Sequence, residues 1–424
     1  MSTALTPASL LSRRRQLLLS GNFFSTSTAA PAISTPFPSF RAAKSAILAE
    51  RDPDALFSLF SSNSVFPTFL HHRRLFDISF TRLSLAKRGD LVERLLLDIV
   101  NDVAPRKPSD TRGAIGSPDL TRFAKLEGFW IRIMMLYAKA GLVDQAMGVV
   151  NLVKEKNCCP VTEKVLCAVL SVHLQNDKLE DLGNLLNTTS RNLSVTPTVL
   201  SHNLVLKGLV KKGDLDAAKH WVKDMKSKGG NEMPNMNSYC HLMDGHLKIG
   251  DFASFDQLLK EVTEMGLVWS VTTYHLKVVR LCNNKECVRA NNVLIEMLEK
   301  GIKPSSASYN IVIDGFARLG DFESAKKVLE RMESDCYTRP CSAAYFSLIR
   351  NMVRKGEIDS ALEVFKQIAK RKWVPPSVVV KGLVDGLVER TRAEEAKEVI
   401  ETTKKRLKGK AMGSWGKIET LLQS

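Results

Sequence analysis

The side chains with the chemistry to act on a ligand fall into two sets, and spacing treats them differently. Thiols and imidazoles suited to a metal come first. Cys158 and Cys159 are adjacent, while Cys282 and Cys287, Cys336 and Cys341, and His241 and His246 are each five apart. A compact metal site draws its ligands from pairs such as C-x2-C, and none is present; two histidines five apart on a helix point to different faces. The eight cysteines therefore read as free thiols of a reducing compartment, and no cofactor or metal is expected. No nucleophile constellation and no glycine loop built to cradle a phosphate is found either, so the chain reads as a non-enzyme. The second set is cationic: Lys139, Lys211, Lys248, Arg318 and Arg354 recur at one place in a longer period. Cations at such intervals can neutralise successive phosphates, with an affinity that falls steeply with salt. The same residues equally suit the last turn of a helix, where the macrodipole favours a cation.

The elements that position these cations follow from a ladder of prolines. Pro160, Pro197, Pro234, Trp269 in a proline's place, Pro304, Pro340 and Pro375 are separated by 37, 37, 35, 35, 36 and 35 residues. A period in this range signals stacked supersecondary units, each too small to bury its own apolar face. Fifteen residues into five of eight units stands Gly141, Gly213, Gly250, Gly320 or Gly356, where a helix ends on a residue tolerant of left-handed geometry. Five residues later come Ala146, Ala218, Ala290, Ala325, Ala361 and Ala396, with Leu182 and Phe255 in the other two units. A small residue there lets two antiparallel helices approach, and the bulkier pair predicts local splaying. Met225, Met297, Met332 and Ile368 close the apolar stripe of the second helix. Each unit reads helix, tight turn, helix, then a proline that stops the second helix.

The passages SYNIVIDGFARLGDFESAKKVLERM (308–332) and TYHLKVVRLCNNKECVRANNVLIEMLEKGIKPS (273–305) resemble the pentatricopeptide repeat, an RNA-binding helical hairpin of plant organelles. The GIKP ending is typical of that family, and the chain resembles its P-class. The resemblance implies an all-α fold, a right-handed α-solenoid superhelix of antiparallel helix-turn-helix repeats. Repeats fall at 127–162, 163–198, 199–235, 236–270, 271–305, 306–341, 342–376 and a truncated 377–407, about two-thirds of the chain. The peptide-binding tetratricopeptide hairpin is the alternative, but its W-x2-L-G-x2-Y pattern is not found here.

The first acidic residue is Glu50, and the preceding stretch carries Arg13, Arg14, Arg15, Arg41 and Lys44 among many serines and threonines. That is transit-peptide composition. Residues 1–40 are expected to be a mitochondrial transit peptide and disordered arm cleaved near residue 24, with the chloroplast as the alternative destination. Its apolar runs are too short to span a bilayer, so no membrane insertion is expected. Residues 41–101 read as degenerate helical hairpins broken at Asp52-Pro53 and around Gly89, and 102–126 as a Pro/Gly/Ser-rich linker. The array follows over 127–407, then a basic tail over 408–424. With 61 Lys and Arg against 45 Asp and Glu the net charge is +16, a balance that favours a polyanionic partner.

In the family, the fifth and last residues of a repeat together contact one base. The resemblance implies the pairs Ile131/Val161, Cys167/Thr198, Asn203/Asn235, Cys240/Ser270, His275/Ser305, Asn310/Cys341 and Phe346/Pro376. Only Asn203/Asn235 matches a recognised combination, one that favours a pyrimidine, and Asn310/Cys341 keeps half of such a pair. Ile, Phe and Pro offer no donor or acceptor to a base edge, although Phe346 and His275 can stack on any base. Family members that cut or edit RNA carry a further C-terminal domain, and only 17 residues follow the last hairpin (408–424). The expectation is a non-catalytic factor of the mitochondrial matrix whose partner is single-stranded organellar RNA (messenger, intron or ribosomal), stabilising it, guiding its processing or exposing a translation start. The rival is a built-in subunit of the mitochondrial ribosome, for which shape and charge matter more than a code.

Overall fold

The computed structural model describes residues 37, 39–63, 72–103, 125–334, 342–371 and 373–405. All of the expected leader but residues 37, 39 and 40, most of the linker, the basic tail, Pro340, Cys336 and Cys341 lie outside the described residues. Among the described residues there are twenty α-helices, one short 3-10 turn and no strand. The chain divides into two compact units at Asn176/Asp177.

The first unit holds α1 (Phe40–Ala49), α2 (Pro53–Asn63), α3 (Arg73–Leu85), α4 (Gly89–Val103), α5 (Glu127–Lys139), α6 (Val143–Glu155) and α7 (Glu163–Gln175). Phe60 packs edge-on against Phe76 and Phe80, with ring centroids 5.2 and 5.4 Å away, which ties α2 to α3. Arg82 of α3 donates to the Ile47 and Leu48 carbonyls at 3.3 and 2.8 Å, satisfying acceptors that the end of α1 leaves open. Between α3 and α4 the left-handed residue is Lys87, at φ 57°, and Gly89 begins the next helix.

The second unit holds α8 (Leu182–Leu193), α9 (Val199–Lys212), α10 (Leu215–Lys228), α11 (Met236–Ile249), α12 (Phe252–Glu264), α13 (Val271–Asn283), α14 (Cys287–Glu299), α15 (Ser306–Leu319), α16 (Phe322–Ser334), α17 (Ser342–Arg354), α18 (Ile358–Lys370), α19 (Ser377–Val388) and α20 (Ala393–Lys404). From α9 onward these pair into successive hairpins. One apolar core runs through the hairpins from Tyr274 to Ile400 and another from Leu206 to Leu276, so each hairpin completes its neighbour's core as the period requires.

The turn inside each repeat is left-handed whether or not it holds glycine. Gly141, Gly213, Gly250, Gly320 and Gly356 have φ between 76° and 88°, and the equivalent Asp177, Lys285 and Thr391 adopt 54°, 63° and 58°. After Gly213, Gly250 and Gly320 an aspartate follows and caps the second helix: Asp214 accepts from the Ala217 N–H, Asp251 from the Ser254 N–H and Asp321 from the Ser324 N–H, each at 3.0 Å. The six alanines expected at the hairpin crossing are all fully buried. Where Leu182 replaces alanine, the second helix starts only at Leu182, after a second left-handed residue, Asp181 at φ 55°. Where Phe255 replaces it, α12 keeps its full length. Gly245 of α11 and Gly386 of α19 mark equally close approaches between hairpins, since a Cβ would lie 2.4 Å from Leu215 Cδ2 at the first and 2.4 Å from Ile358 Cδ1 at the second.

A second ladder, absent from the sequence reading, runs through the fourth position of the first helices. His202 bonds Glu232 at 2.7 Å, and Tyr239 and Tyr274 donate to Glu261 and Glu296 at 3.4 and 3.5 Å; Tyr345 donates to Glu333. A cation completes each group: Lys228, Lys226, Lys300 and Arg371 reach those glutamates at 3.0, 2.8, 2.6 and 2.5 Å. Lys226 and Arg371 also lie over the Tyr239 and Tyr345 rings, 5.5 and 5.3 Å from their centroids. The aromatic body enters the core while its polar tip finds a partner at the rim, which lets tyrosine fill a buried position at little cost.

Candidate nucleic-acid interface

Each expected base-reading pair is set by the way a first helix begins. The last residue of a repeat is the N-cap of the next first helix. Thr198, Asn235, Ser270 and Ser305 accept from backbone N–H groups of α9, α11, α13 and α15. The third residue of those helices, Ser201, Ser238, Thr273 or Ser308, is fully buried. In the first three it answers the cap's own N–H to close a capping box. Only small polar residues do this, so their recurrence at the repeat boundary has a structural cause. In the first array repeat the cap is Thr162, which accepts from the Lys164 N–H at 3.3 Å. The position equivalent to Thr198 is therefore Thr162, and the expected pairing of Ile131 with Val161 is one residue out of register.

Asn203, the one full match to a recognised pair, is 8% exposed. Its Nδ2 donates to Asn235 Oδ1 at 3.3 Å, and its Oδ1 accepts from the Ser238 hydroxyl at 2.6 Å. The pair is thus a preformed unit, its amides tied to each other. Cys240 is buried, its Sγ lies 3.4 Å from Thr273 Oγ1, and burial pushes its thiol up; Ser270 Oγ is 3.1 Å from that same hydroxyl. His275 is half-buried with Nδ1 3.0 Å from Ser308 Oγ, and burial pushes its imidazole down toward the neutral form. Ser305 Oγ lies 3.0 Å from the same Ser308 hydroxyl. Asn310 is half-buried, and its partner Cys341 lies outside the described residues. Phe346 packs against the core with part of its ring covered. Burial raises the Cys167 thiol to about 11, which removes thiolate chemistry there.

The expected phosphate ladder is exposed, but most of it is already paired. Lys139 lies 3.5 Å from Asp77, Lys211 2.5 Å from Asp177, Lys248 2.7 Å from Asp244 and Arg318 2.5 Å from Asp314. Among the described residues Arg354 has no carboxylate within 4.0 Å. A phosphate approaching the first four meets a cation whose charge is locally balanced, so each contributes less than a free one would. The carboxylates are what spacing of cations alone missed: Asp244 and Asp314 sit one turn before their cation, a pattern the sequence carries, whereas Asp77 and Asp177 come from outside the repeat.

Three successive first helices, α9, α11 and α13, enclose a cleft of about 720 Å³ lined by thirteen residues. They come from equivalent positions: Leu200, Asn237 and Thr272 are the second residues of their repeats, and Asn203, Cys240 and His275 the fifth. His241, Asp244 and Lys248 line it from the middle helix, α11. Leu200 is 60% exposed, an apolar face offered to whatever enters. Among the described residues no three His, Cys, Asp or Glu side chains converge as metal ligands, and no helix is long and apolar enough to cross a membrane.

Family comparison agrees with this geometry. A PPR repeat model matches residues 130–158, 200–230 and 345–372, and a second model, also described as a PPR repeat, matches 300–333. A mitochondrial pentatricopeptide repeat-containing protein of Arabidopsis thaliana is 26% identical over 406 residues, covering 94% of this chain and 90% of its own. The small ribosomal subunit protein mL103 of the same plant is 23% identical over 381 residues, covering 89% of this chain and 86% of its own. The crystal structure of the pentatricopeptide repeat protein PPR10 from maize is 16% identical with a TM-score of 0.48, covering 91% of this chain; this chain spans 60% of that one. The chain carries PPR repeats in these segments and is similar to pentatricopeptide repeat proteins along nearly its whole length.

Proposed function

We propose that this protein binds single-stranded RNA in the mitochondrial matrix along the face made by its first helices, and acts by occupancy without catalysis, as a P-class plant organellar factor. The observation that carries the reading is the cleft across α9, α11 and α13. A cleft built from equivalent positions of stacked repeats repeats its chemistry along a strand, which suits a polymer of similar units. The net charge of +16 favours the same partner. The Arabidopsis relative that covers nearly the whole chain is mitochondrial, which supports that compartment. Occupancy of this kind holds a strand single, blocks exonucleases or exposes a translation start.

A second reading, a built-in subunit of the mitochondrial ribosome, has its own support. The groove groups of Asn203 and Cys240 are tied into the protein, which suits recognition by shape. A small ribosomal subunit protein is also similar over 89% of the chain. Crosslinking of the tagged protein to RNA in purified mitochondria, followed by sequencing of the protected fragments, separates the two. One or two short footprints in messenger or intron RNA support the free factor. Fragments mapping mainly to ribosomal RNA, with the protein co-sedimenting stoichiometrically with ribosomal subunits at high salt, support the subunit.

A further inference from the structure

The charged groups that line the α9/α11/α13 cleft, Asp244 and Lys248, both come from its middle helix, α11. Asn203 is engaged by Asn235 and Ser238, and Cys240 by Thr273. The cleft's one carboxylate, Asp244, is not so engaged. It stands one helical turn past Cys240, makes a 2.7 Å ion pair with Lys248, and keeps 42% of its side chain exposed. Asp314 occupies the same position two repeats later and is closed off. It holds Arg318 at 2.5 Å, Arg350 at 3.5 Å, the Asn351 amide at 3.2 Å and the Ser347 hydroxyl, and only 18% of it is exposed. Of these two equivalent aspartates, Asp244 alone lines a cleft with acceptor capacity to spare. His241 and His275 line the same cleft.

We propose that this cleft selects nucleobases bearing an exocyclic amine over uracil, and that Asp244 makes the selection. The inference rests on the RNA-binding reading above and names the substrate class of that same groove. An ionised carboxylate only accepts hydrogen bonds. Cytosine N4, adenine N6 and guanine N2 each offer N–H donors to it. Uracil flanks its single N3–H with two carbonyl oxygens, whose lone pairs face the carboxylate oxygens and repel them. Lys248 orients the carboxylate and screens it from the approaching backbone. The cleft's volume of about 720 Å³ lies within the range of ligand-sized pockets.

The test uses the full chain and fluorescence anisotropy with cytidine, adenosine and uridine oligomers of about 12 nucleotides. Asp244→Asn is near isosteric at an exposed site, and its folding is checked by circular dichroism. Asp385→Asn removes the same charge from the equivalent position of the last repeat, where Asp385 pairs only loosely with Lys381 at 3.9 Å. The wild-type protein is expected to bind the uridine oligomer about fivefold or more weakly than the other two. D244N is expected to bring all three together, and D385N to preserve the ratio. Equal affinities in the wild type, an unchanged ratio in D244N, or the same loss in D385N overturns the proposal. Failure of every oligomer to bind at low salt overturns the RNA-binding reading itself, a different result from binding without discrimination.

Discussion

Ser238 joins the helix cap to the groove, and its substitution by alanine separates positioning from contact. The side chain is fully buried in α11. Its hydroxyl donates to Asn203 Oδ1 at 2.6 Å and accepts from the Asn235 N–H at 3.1 Å. Ser238→Ala deletes both bonds and leaves a partly buried backbone donor and a buried amide oxygen without this partner. Half a capping box and one buried hydrogen bond together amount to about 1–3 kcal/mol. The Asn235 cap bond to the Ser238 N–H, at 3.2 Å, survives, so α11 keeps its start and the loss is local. Native-state hydrogen exchange over residues 230–240 reads it directly: the Asn235 amide should exchange roughly five- to hundredfold faster. Affinity for RNA should fall with it, because the Asn203 amide loses one of its two anchors. Ser238→Thr, which keeps the hydroxyl and matches Thr273 one repeat on, should restore both. Unchanged exchange at Asn235 in S238A would refute the shared-network account, and unchanged RNA affinity would refute the groove role of Asn203.

Further outcomes follow from other parts of the structure. Thr391 holds a left-handed turn at φ 58°, a strained geometry for a β-branched residue, so Thr391→Gly should stabilise the last hairpin by about 1 kcal/mol in urea titrations. Arg354 lacks the carboxylate that balances Lys248, so Arg354→Met should lower the slope of log affinity against log salt by about one, and Lys248→Met by less. Burial holds the His241 and His275 pKa values below 6.5. Below that pH the unfolded chain takes up more protons, so stability is full above about pH 6.5 and falls as the pH drops toward their folded values. Urea midpoints at acidic and neutral pH should show this, with the difference reduced in H241Q/H275Q. The depressed carboxylates Glu232 and Asp251 act in a separate window, losing their contribution only as the pH falls through the carboxylate range.

The repeat period carried most of the architecture, because turn glycines, crossing alanines and boundary prolines each answer a local geometric demand that recurs. The left-handed turn is more general than its glycine signal: Asp177, Lys285 and Thr391 adopt it at the same place in their repeats without a glycine. The interface was less legible. Asn235 and Ser305 cap helices, and a polar residue at that place signals a cap as strongly as a groove contact. Cys240 looks free in sequence, but Thr273, 33 residues on, closes it. The cations were visible, and so in principle were Asp244 and Asp314 one turn before theirs, but Asp77 and Asp177 were not, because they reach Lys139 and Lys211 from outside the repeat. The aromatic, glutamate and cation groups join residues as far as 38 positions apart, beyond any local pattern.

Photo-crosslinking of single-stranded RNA to the purified protein, with the attachment sites located by mass spectrometry, tests the central claim most directly. The account predicts nucleotide adducts on the peptides of α9, α11 and α13 that carry Leu200, His241 and His275. Adducts confined to the second helices, or none at RNA concentrations that saturate binding, would contradict it.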